Sequence, residues 1–237
     1  MKALILNSGL GSRMGALTSE HPKCMTEITD TDTILSRQLK LISKVGIKEV
    51  VMTTGYFDGV LVDYCNSLGL PLEFTFVNNP LYAKTNYIYS IYCAKEELGD
   101  DILLMHGDLV FEESVLRDML AEKRSCMKVS STIALPDKDF KAVIKDGEVK
   151  AVGIEFFDSA MEAQALYKLN KEDWNVWLEK IIEYCENDKR KCYAEVALNE
   201  VTDRCHIKAF DVKDRLCTEI DNPEDLEKVS KRMKEII

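Results

Sequence analysis

The chain has 237 residues, of which 46% are hydrophobic and 30% are charged, and its formal net charge is −10. These values are typical of a soluble globular protein with one substantial core. The acidic balance argues against a nucleic-acid partner, and no apolar run approaches the ~20 residues of a membrane helix. We therefore expect a protein that binds neither nucleic acid nor membrane. The eight cysteines form no C-x-x-C pair, and we expect them to be reduced in a cytoplasmic protein. Whether it forms a homodimer stays open at this stage.

Segments typical of strands and helices alternate through the first half of the chain. The predicted strands are residues 3–6, 50–54, 72–77, 102–105 and 129–135. The predicted helices are residues 35–46, 60–68, 85–98 and 112–123. This alternation predicts an α/β fold with a Rossmann-like, doubly wound, mostly parallel mixed sheet. Ligands of such sheets bind at the carboxyl ends of the strands.

The pattern changes after Pro136. Residues 142–144 and 149–154 predict a hairpin around the turn Asp146-Gly147. Further helices are expected over residues 172–185 and from Pro223 to Ile237. No clear linker interrupts the chain. We therefore predict one domain over residues 1–237, in which about 136–210 form a region on the side of the second substrate.

The first candidate site follows the first strand directly, in the segment L-N-S-G-L-G-S-R-M-G. Gly9 and Gly11 let the backbone turn closely around a ligand, and main-chain N–H groups in such a turn can hold phosphate oxygens. Arg13 offers a forked donor for phosphate, and Lys23 offers a compact positive charge. A lone Gly-x-Gly motif is weak evidence, so a plain turn with both cations solvated is an equal interpretation of this segment alone.

The spacing of this segment resembles the signature loop of the sugar-phosphate and choline-phosphate nucleotidyltransferases. The matching positions are Gly9-Leu10-Gly11-Ser12-Arg13, then Thr18, then Pro22-Lys23, whereas Asn7-Ser8 replaces two small alanines of that pattern. The resemblance implies a nucleotidyltransferase fold of the GT-A-like type. It also implies a nucleotide site made of Leu6, Asn7, Ser8, Gly9, Gly11, Ser12, Arg13, Lys23, Thr54, Gly55, Thr85, Asn86 and Asp108.

Two carboxylates are candidate metal ligands. Asp108 follows a buried strand in the segment H-G-D-L-V-F, where it could also be a turn or helix-capping residue. The segment resembles the metal motif G-D-x-x-F of the same family. Asp221 lies in an E-I-D element that resembles the family's source of a second metal carboxylate, and Asn222 can cap the helix that follows. Oxygen ligands of this kind suit Mg²⁺, the expected cofactor.

The second substrate is expected to lie near the change of pattern. Hexose-phosphate members of the family carry a Gly-Thr-Ala-like element at this place. This chain has Thr85-Asn86 followed by tyrosines instead, which argues against a hexose-phosphate acceptor. The segment Asp139-Phe140-Lys141-Ala142 and the Thr-Asn-Tyr helix start look most similar to the phosphonate cytidylyltransferases. Lys141 is our choice for the acceptor oxyanion, with Lys138, Lys145 and Lys168 as competitors. Glu195 is our choice for an ammonium group, and Tyr167 and Asn199 complete the predicted acceptor site.

The resemblance implies transfer of CMP from CTP to 2-aminoethylphosphonate with release of pyrophosphate. The predicted catalytic residues are Arg13 and Lys23 on the triphosphate and Lys141 on the acceptor. Phosphocholine is the alternative acceptor. An aromatic cage would suit its trimethylammonium group, whereas carboxylates would suit a primary ammonium. The sequence offers both kinds of residue, so the choice stays open. A glycosyltransferase would more often carry a D-x-D motif, and a non-catalytic nucleotide-binding domain would be expected to lose Lys23 or a carboxylate.

Overall fold

A nine-stranded sheet runs through the protein, and a two-stranded sheet lies at its edge. The computed structural model describes residues 1–236, so the predicted helix end at Ile237 lies outside it. The strands are β1 (Lys2–Leu6), β2 (Glu49–Thr54), β3 (Glu73–Asn78), β4 (Ile102–His106), β5 (Leu109–Phe111), β6 (Cys126–Ser130), β7 (Lys141–Lys145), β8 (Glu148–Gly153), β9 (Ala160–Leu169), β10 (Lys208–Asp211) and β11 (Cys217–Glu219). The α-helices are α1 (Ile34–Lys44), α2 (Asp58–Ser67), α3 (Tyr87–Ala94), α4 (Glu113–Ala121), α5 (Lys171–Glu186), α6 (Ala194–Asn199) and α7 (Pro223–Ile236).

The large sheet has the order β3-β2-β1-β4-β9-β6-β10-β8-β7, and β5 pairs with β11 in the small sheet. The strands β1 to β4 are parallel, whereas β9 is antiparallel to β4 and β6, and β8 is antiparallel to β10 and β7. The mixed, mostly parallel sheet that the sequence predicts is therefore confirmed. Its order places β1 between β2 and β4, so their carboxyl ends meet at one edge.

Helices cover both faces of the sheet because side chains alternate along each strand. Leu4 of β1 belongs to the core beneath α3, α5 and α6, which contribute Ile91, Trp177 and Ala197 among others. Ile5 belongs to the opposite core, where α1, α2 and α4 contribute side chains such as Leu39. Within residues 1–236, no helix is long and apolar enough to cross a bilayer.

The predicted hairpin is confirmed, since β7 and β8 meet at Asp146 and Gly147, which both have positive φ. The predicted strand over 129–135 is wrong, because β6 ends at Ser130 and an irregular segment follows. The hydroxyl of Ser130 accepts hydrogen bonds from the amides of Thr132 and Ile133, each at 3.2 Å, and donates one to the carbonyl of Lys213 at 2.7 Å. These local bonds turn the chain out of the sheet. The strands β5, β9 and β10 and the helix α6 were not predicted, whereas β11 confirms the short strand expected before Asp221.

Candidate active site

Two distant carboxylates meet at the edge of the sheet through the small two-stranded sheet. Asp108 lies in the turn between β4 and β5, and β5 pairs with β11 so that Leu109 faces Glu219. The amide of Ile220 then donates a hydrogen bond to the carbonyl of Asp108 at 3.1 Å. Asp221, the next residue, therefore lies beside Asp108. We call these two carboxylates the acidic centre.

The side chain of Asp221 takes no part in capping the last helix, because Asn222 and Asp225 make the capping hydrogen bonds. The side chain of Asn222 accepts hydrogen bonds from the amides of Glu224 and Asp225, at 2.9 and 3.0 Å. The carboxylate of Asp225 in turn accepts from the amide of Asp221 at 3.1 Å. The prediction that Asn222 caps the last helix is thus confirmed, and the carboxylate of Asp221 stays available.

Two cations neutralise the acidic centre. The Lys23 ammonium lies 2.5 Å from Asp108 Oδ2 and 2.9 Å from Asp221 Oδ1, and Arg13 Nη2 lies 2.9 Å from the same Asp221 oxygen. Burial on its own would lower the pKa of Lys23, but the charge of Asp108 and hydrogen bonds to both carboxylates raise it. Burial would likewise raise the pKa of Asp108, and the positive charges of Lys23 and His106 lower it instead.

The segment of residues 7–13, here named the phosphate loop, is held close to Lys23 and to the end of β2. Gly11 has a φ of 64°, and a Cβ placed on it would lie 2.9 Å from the Lys23 Cβ. A Cβ placed on Gly55 would lie 2.5 Å from the carbonyl oxygen of Ser8. Both glycines thus permit backbone approaches that a larger residue would prevent.

Several polar atoms around this loop are buried without a hydrogen-bond partner in residues 1–236. They are Asn7 Nδ2, Ser8 Oγ, His106 Nε2 and Asp108 Oδ1. Buried polar groups in native proteins are nearly always satisfied, and an unpaired one is costly. Their gathering at the carboxyl end of β1 and β4 indicates a place where a polar ligand completes the hydrogen bonding.

Two cavities border the acidic centre beside the phosphate loop, and we call them the nucleotide-side cavities after the prediction from the sequence. The first, of about 270 Å³, is lined by predicted residues Leu6, Asn7, Gly9, Gly11, Ser12, Arg13, Lys23 and Asp108, together with Asp221. The second, of about 310 Å³, adds the predicted Ser8, Thr85 and Asn86 next to Asn79, Tyr82 and Tyr87. The structure therefore brings most of the predicted nucleotide residues to one place.

Thr54 and Gly55 line neither cavity and lie beneath the phosphate loop. Thr54 is fully buried, and its hydroxyl is bonded to the carboxylate of Asp58 and to Asn78 Nδ2. Their prediction as nucleotide contacts needs correction, since both residues support the loop from below.

A further cavity of about 200 Å³ borders the acidic centre at Asp108 and Asp221 and is lined by aromatic and charged side chains. Its lining includes Tyr87, His106, Lys138, Asp139, Phe140, Ile154, Tyr193 and Glu219. The ring of Tyr193 lies 5.0 Å from that of Phe140 and 5.9 Å from that of Tyr87, measured between centroids. We call this space the acceptor cavity.

Lys141 and Asn199, two of the predicted acceptor ligands, do not line this cavity. Lys141 is fully buried, and its ammonium donates hydrogen bonds to the carbonyls of Pro136 and Asp139, at 2.5 and 3.1 Å. Asn199 is bonded to both backbone groups of Val152, at 2.8 and 2.9 Å. The polar groups of Lys141 and Asn199 thus already have partners within the protein. The prediction that these residues contact the acceptor is therefore corrected, since they support the wall of the cavity instead.

Glu195 and Tyr167 also lie behind the cavity. Glu195 is 1% exposed and accepts hydrogen bonds from the hydroxyls of Tyr87 and Tyr167, the latter at 3.0 Å. Tyr167 is packed against Trp177 in the core. The Glu195 carboxylate therefore cannot reach a bound amine, and it instead fixes the ring of Tyr87 that lines the cavity.

His106 and Glu219 were missed by the sequence reasoning. His106 Nδ1 lies 2.8 Å from Glu219 Oε1, and both residues offer ligand atoms within 4.8 Å of one from Asp108. Burial alone would lower the pKa of His106, but the hydrogen bond and charge of Glu219 raise it to about 9. Their position in the sequence could have indicated them, because each residue lies two places before a predicted metal ligand.

The acidic centre fits a hard divalent cation. Asp108 Oδ1 is buried without a partner among the described residues, and Asp221 supplies a second carboxylate beside it. Carboxylate oxygens are the protein ligands that Mg²⁺ prefers, usually shared with phosphate oxygens and water. Asp108 and Asp221 are the residues that would hold such an ion, with Glu219 adjacent.

The contact between Gly55 and the phosphate loop gives a testable prediction. We expect Gly55→Ala to lower the free energy of unfolding by about 1–3 kcal/mol, because the new methyl group meets the backbone of Ser8. Gly59→Ala, an exposed position in α2 with nothing within 4 Å of the added Cβ, is the matched control. It should be neutral or stabilising by up to about 1 kcal/mol. Denaturant unfolding of both variants measures the difference, and equal stabilities would contradict the close approach.

The chain is similar in sequence to known cytidylyltransferases and related enzymes. The chain is 30% identical over 156 residues to the CTP:phosphoglutamine cytidylyltransferase of Campylobacter jejuni, an alignment that covers 62% of this chain and 60% of that protein. It is 28% identical over 165 residues to the CMP-5'-(3-aminopropyl)phosphonate synthase of Streptomyces rubellomurinus, which covers 70% of this chain and 26% of that protein. The chain thus matches less than two thirds of either relative.

The fold resembles that of the CTP:phosphocholine cytidylyltransferase from Streptococcus pneumoniae. The TM-score is 0.77 at 19% identity, over 98% of both chains. This likeness confirms the predicted nucleotidyltransferase fold. The profile of the MobA-like NTP transferase domain matches residues 3–144. The protein is a member of the MobA-like NTP transferase family.

Proposed function

We propose that the protein transfers CMP from CTP to a small phosphonate or phosphate acceptor that carries an ammonium group, and releases pyrophosphate. The observation that carries the proposal is the acidic centre, because Asp108 lines all three cavities and Asp221 lines both the first nucleotide-side cavity and the acceptor cavity. A reacting oxygen and an α-phosphorus held in these cavities would meet at the acidic centre. The named acceptors or products of the relatives are phosphoglutamine, an aminopropylphosphonate and phosphocholine, which agrees with such an acceptor.

The proposed roles follow from the position of each side chain. The amides of the phosphate loop, Arg13 and Lys23 bind the triphosphate and offset its charge. The acceptor oxygen attacks the α-phosphorus in line while pyrophosphate leaves, so no covalent enzyme intermediate is needed. The protein contributes orientation of the two substrates and electrostatic stabilisation of the transition state. Asp108 and Asp221 would hold a Mg²⁺ ion, which would supply Lewis-acid stabilisation of charge on the phosphate oxygens.

The direct test is release of pyrophosphate from each of four nucleotides with a panel of small phosphates and phosphonates. We expect turnover with CTP and a divalent cation, and loss of at least ~100-fold in turnover for Asp108→Asn, because a transition-state electrostatic group is removed. Near-normal activity of that variant at low Mg²⁺ would contradict the metal assignment. Nucleotide binding without pyrophosphate release from any panel member would favour a non-catalytic nucleotide-binding domain.

The proposed acceptor is 2-aminoethylphosphonate, with Asp139 as the residue that receives its ammonium group. Asp139 lines the acceptor cavity, and burial together with the negative charges of Asp221 and Asp225 raises its pKa. A cationic group bound here would relieve that repulsion. Asp139 replaces Glu195 in this role, since Glu195 is withdrawn behind Tyr87.

Phosphocholine is the second candidate, and a specific observation favours it. Tyr87, Phe140 and Tyr193 bring three aromatic rings to one cavity, with Ile154 beside them. Ring faces attract a trimethylammonium group, which cannot donate hydrogen bonds to a carboxylate. The two acceptors therefore depend on different walls of the same cavity.

Two variants separate these acceptors. We expect Asp139→Asn to lower kcat/KM for 2-aminoethylphosphonate by about 10- to 100-fold, because a charge-assisted hydrogen bond is lost, with the KM for CTP unchanged. Asp137→Asn, an exposed neighbour outside the cavity lining, is the control. We expect Tyr193→Leu to lower kcat/KM for phosphocholine by about 3- to 30-fold.

The ratio of specificity constants in the unmodified protein decides between the acceptors. A ratio that favours phosphocholine, together with sensitivity to Tyr193→Leu, would replace the phosphonate proposal by the phosphocholine one. An unchanged ratio in Asp139→Asn would keep the acceptor class and remove Asp139 as its amine ligand.

A further inference from the structure

The ammonium of Lys23 lies between the two carboxylates that would hold a shared divalent cation. It contacts Asp108 Oδ2 at 2.5 Å and Asp221 Oδ1 at 2.9 Å, so it bridges the two carboxylates. The side chains of all three residues are at most 20% exposed. A Mg²⁺ ion shared by the same oxygens would bind at about 2.0–2.1 Å from each, which leaves no room for the ammonium between them.

We infer that Lys23 is an exchangeable cation of the acidic centre, which competes with a free metal ion and weakens its binding until nucleotide phosphates draw the ammonium away. Lys23 is suited both to contact with the carboxylates and to contact with a bound triphosphate. Its Cβ lies against Gly11 of the phosphate loop, whereas the flexible stem beyond it carries the ammonium. Lys23 also lines the nucleotide-side cavity, so a triphosphate bound there would offer it a second anionic partner.

The charges around the acidic centre favour exchange over simultaneous occupancy. Asp108 and Asp221 are close like charges with little solvent, and Lys23 and Arg13 supply the positive charges that contact them. A divalent ion placed beside a retained ammonium would be repelled by it. A triphosphate competes for both Lys23 and Arg13, and the carboxylates that are then left need a new cation. Metal and nucleotide binding are therefore coupled, and the coupling is reciprocal.

This inference rests on the proposed nucleotide and metal site, but it needs neither the acceptor nor turnover. The competing explanation is that Lys23 is a permanent structural cation that ties residues 22–25 to the start of α7. Under that explanation, removal of its charge would weaken the fold and would not improve metal binding.

The test measures binding of Mn²⁺ alone, in the absence of nucleotide, from the electron paramagnetic resonance signal of the free ion. We expect Lys23→Gln to bind Mn²⁺ at least about tenfold more tightly than the unmodified protein, a change within the range usual for coupled sites. Lys44→Gln removes one positive charge at a distant pair with Glu113 and is the matched control. It should bind Mn²⁺ like the unmodified protein. Adding Asp108→Asn to Lys23→Gln should abolish the gain.

Equal Mn²⁺ affinity of Lys23→Gln and the unmodified protein, with both folded by melting temperature, would overturn the inference. A second measurement covers the case in which Lys23→Gln does not fold. In the unmodified protein, high Mg²⁺ should raise the rate at which an amine-acylating reagent modifies Lys23 relative to Lys44, as read by peptide mass spectrometry. An unchanged relative rate would overturn the inference in the same way. Failure of CTP turnover would instead count against the proposed function alone, because neither measurement depends on catalysis.

Discussion

The pairing of β5 with β11 is the contact on which the geometry of the candidate site depends. It places the amide of Ile220 on the carbonyl of Asp108, and so sets Asp221 beside that residue. A shift of one residue in this register would turn the side chains to the opposite face and separate the two carboxylates. The same pairing brings Glu219 to His106, so one short antiparallel contact determines the arrangement of all four titratable groups.

Placing these groups together has an electrostatic cost that the rest of the site offsets. Lys23 and Arg13 lie against the acidic centre, and His106 lies against Glu219. Two buried polar atoms of the phosphate loop, Asn7 Nδ2 and Ser8 Oγ, still have no partner in residues 1–236. Such a site is less stable than a fully paired one, which is typical of surfaces prepared for a ligand. The packed strands beneath it, buried on both faces, supply the rigidity that holds this arrangement.

The sequence predicted which residues gather around the phosphate loop, whereas it did not predict the lining of the acceptor cavity. Asn7, Ser8 and Asp108 lie within two residues of the end of β1 or β4, and a strand end fixes the position of the next few residues. Lys141 and Glu195 are charged residues that the sequence alone could not distinguish from ligand-binding ones. Their hydrogen-bond partners are groups that only the tertiary structure brings to them. The insertion of β9 between β4 and β6 creates this region, and long-range antiparallel pairing of that kind leaves little local signal. The aromatic wall at Tyr193 follows from the same tertiary arrangement.

The central claim is that a cytidine triphosphate and a divalent ion meet at the acidic centre between the phosphate loop and the acceptor cavity. The most direct test is an experimental structure of the protein with a non-hydrolysable CTP analogue and Mg²⁺. The account predicts the triphosphate on the phosphate loop, the ion on Asp108 and Asp221, and the Lys23 ammonium on a phosphate oxygen. A triphosphate bound elsewhere, or Lys23 still bridging Asp108 and Asp221 beside the bound nucleotide, would contradict it.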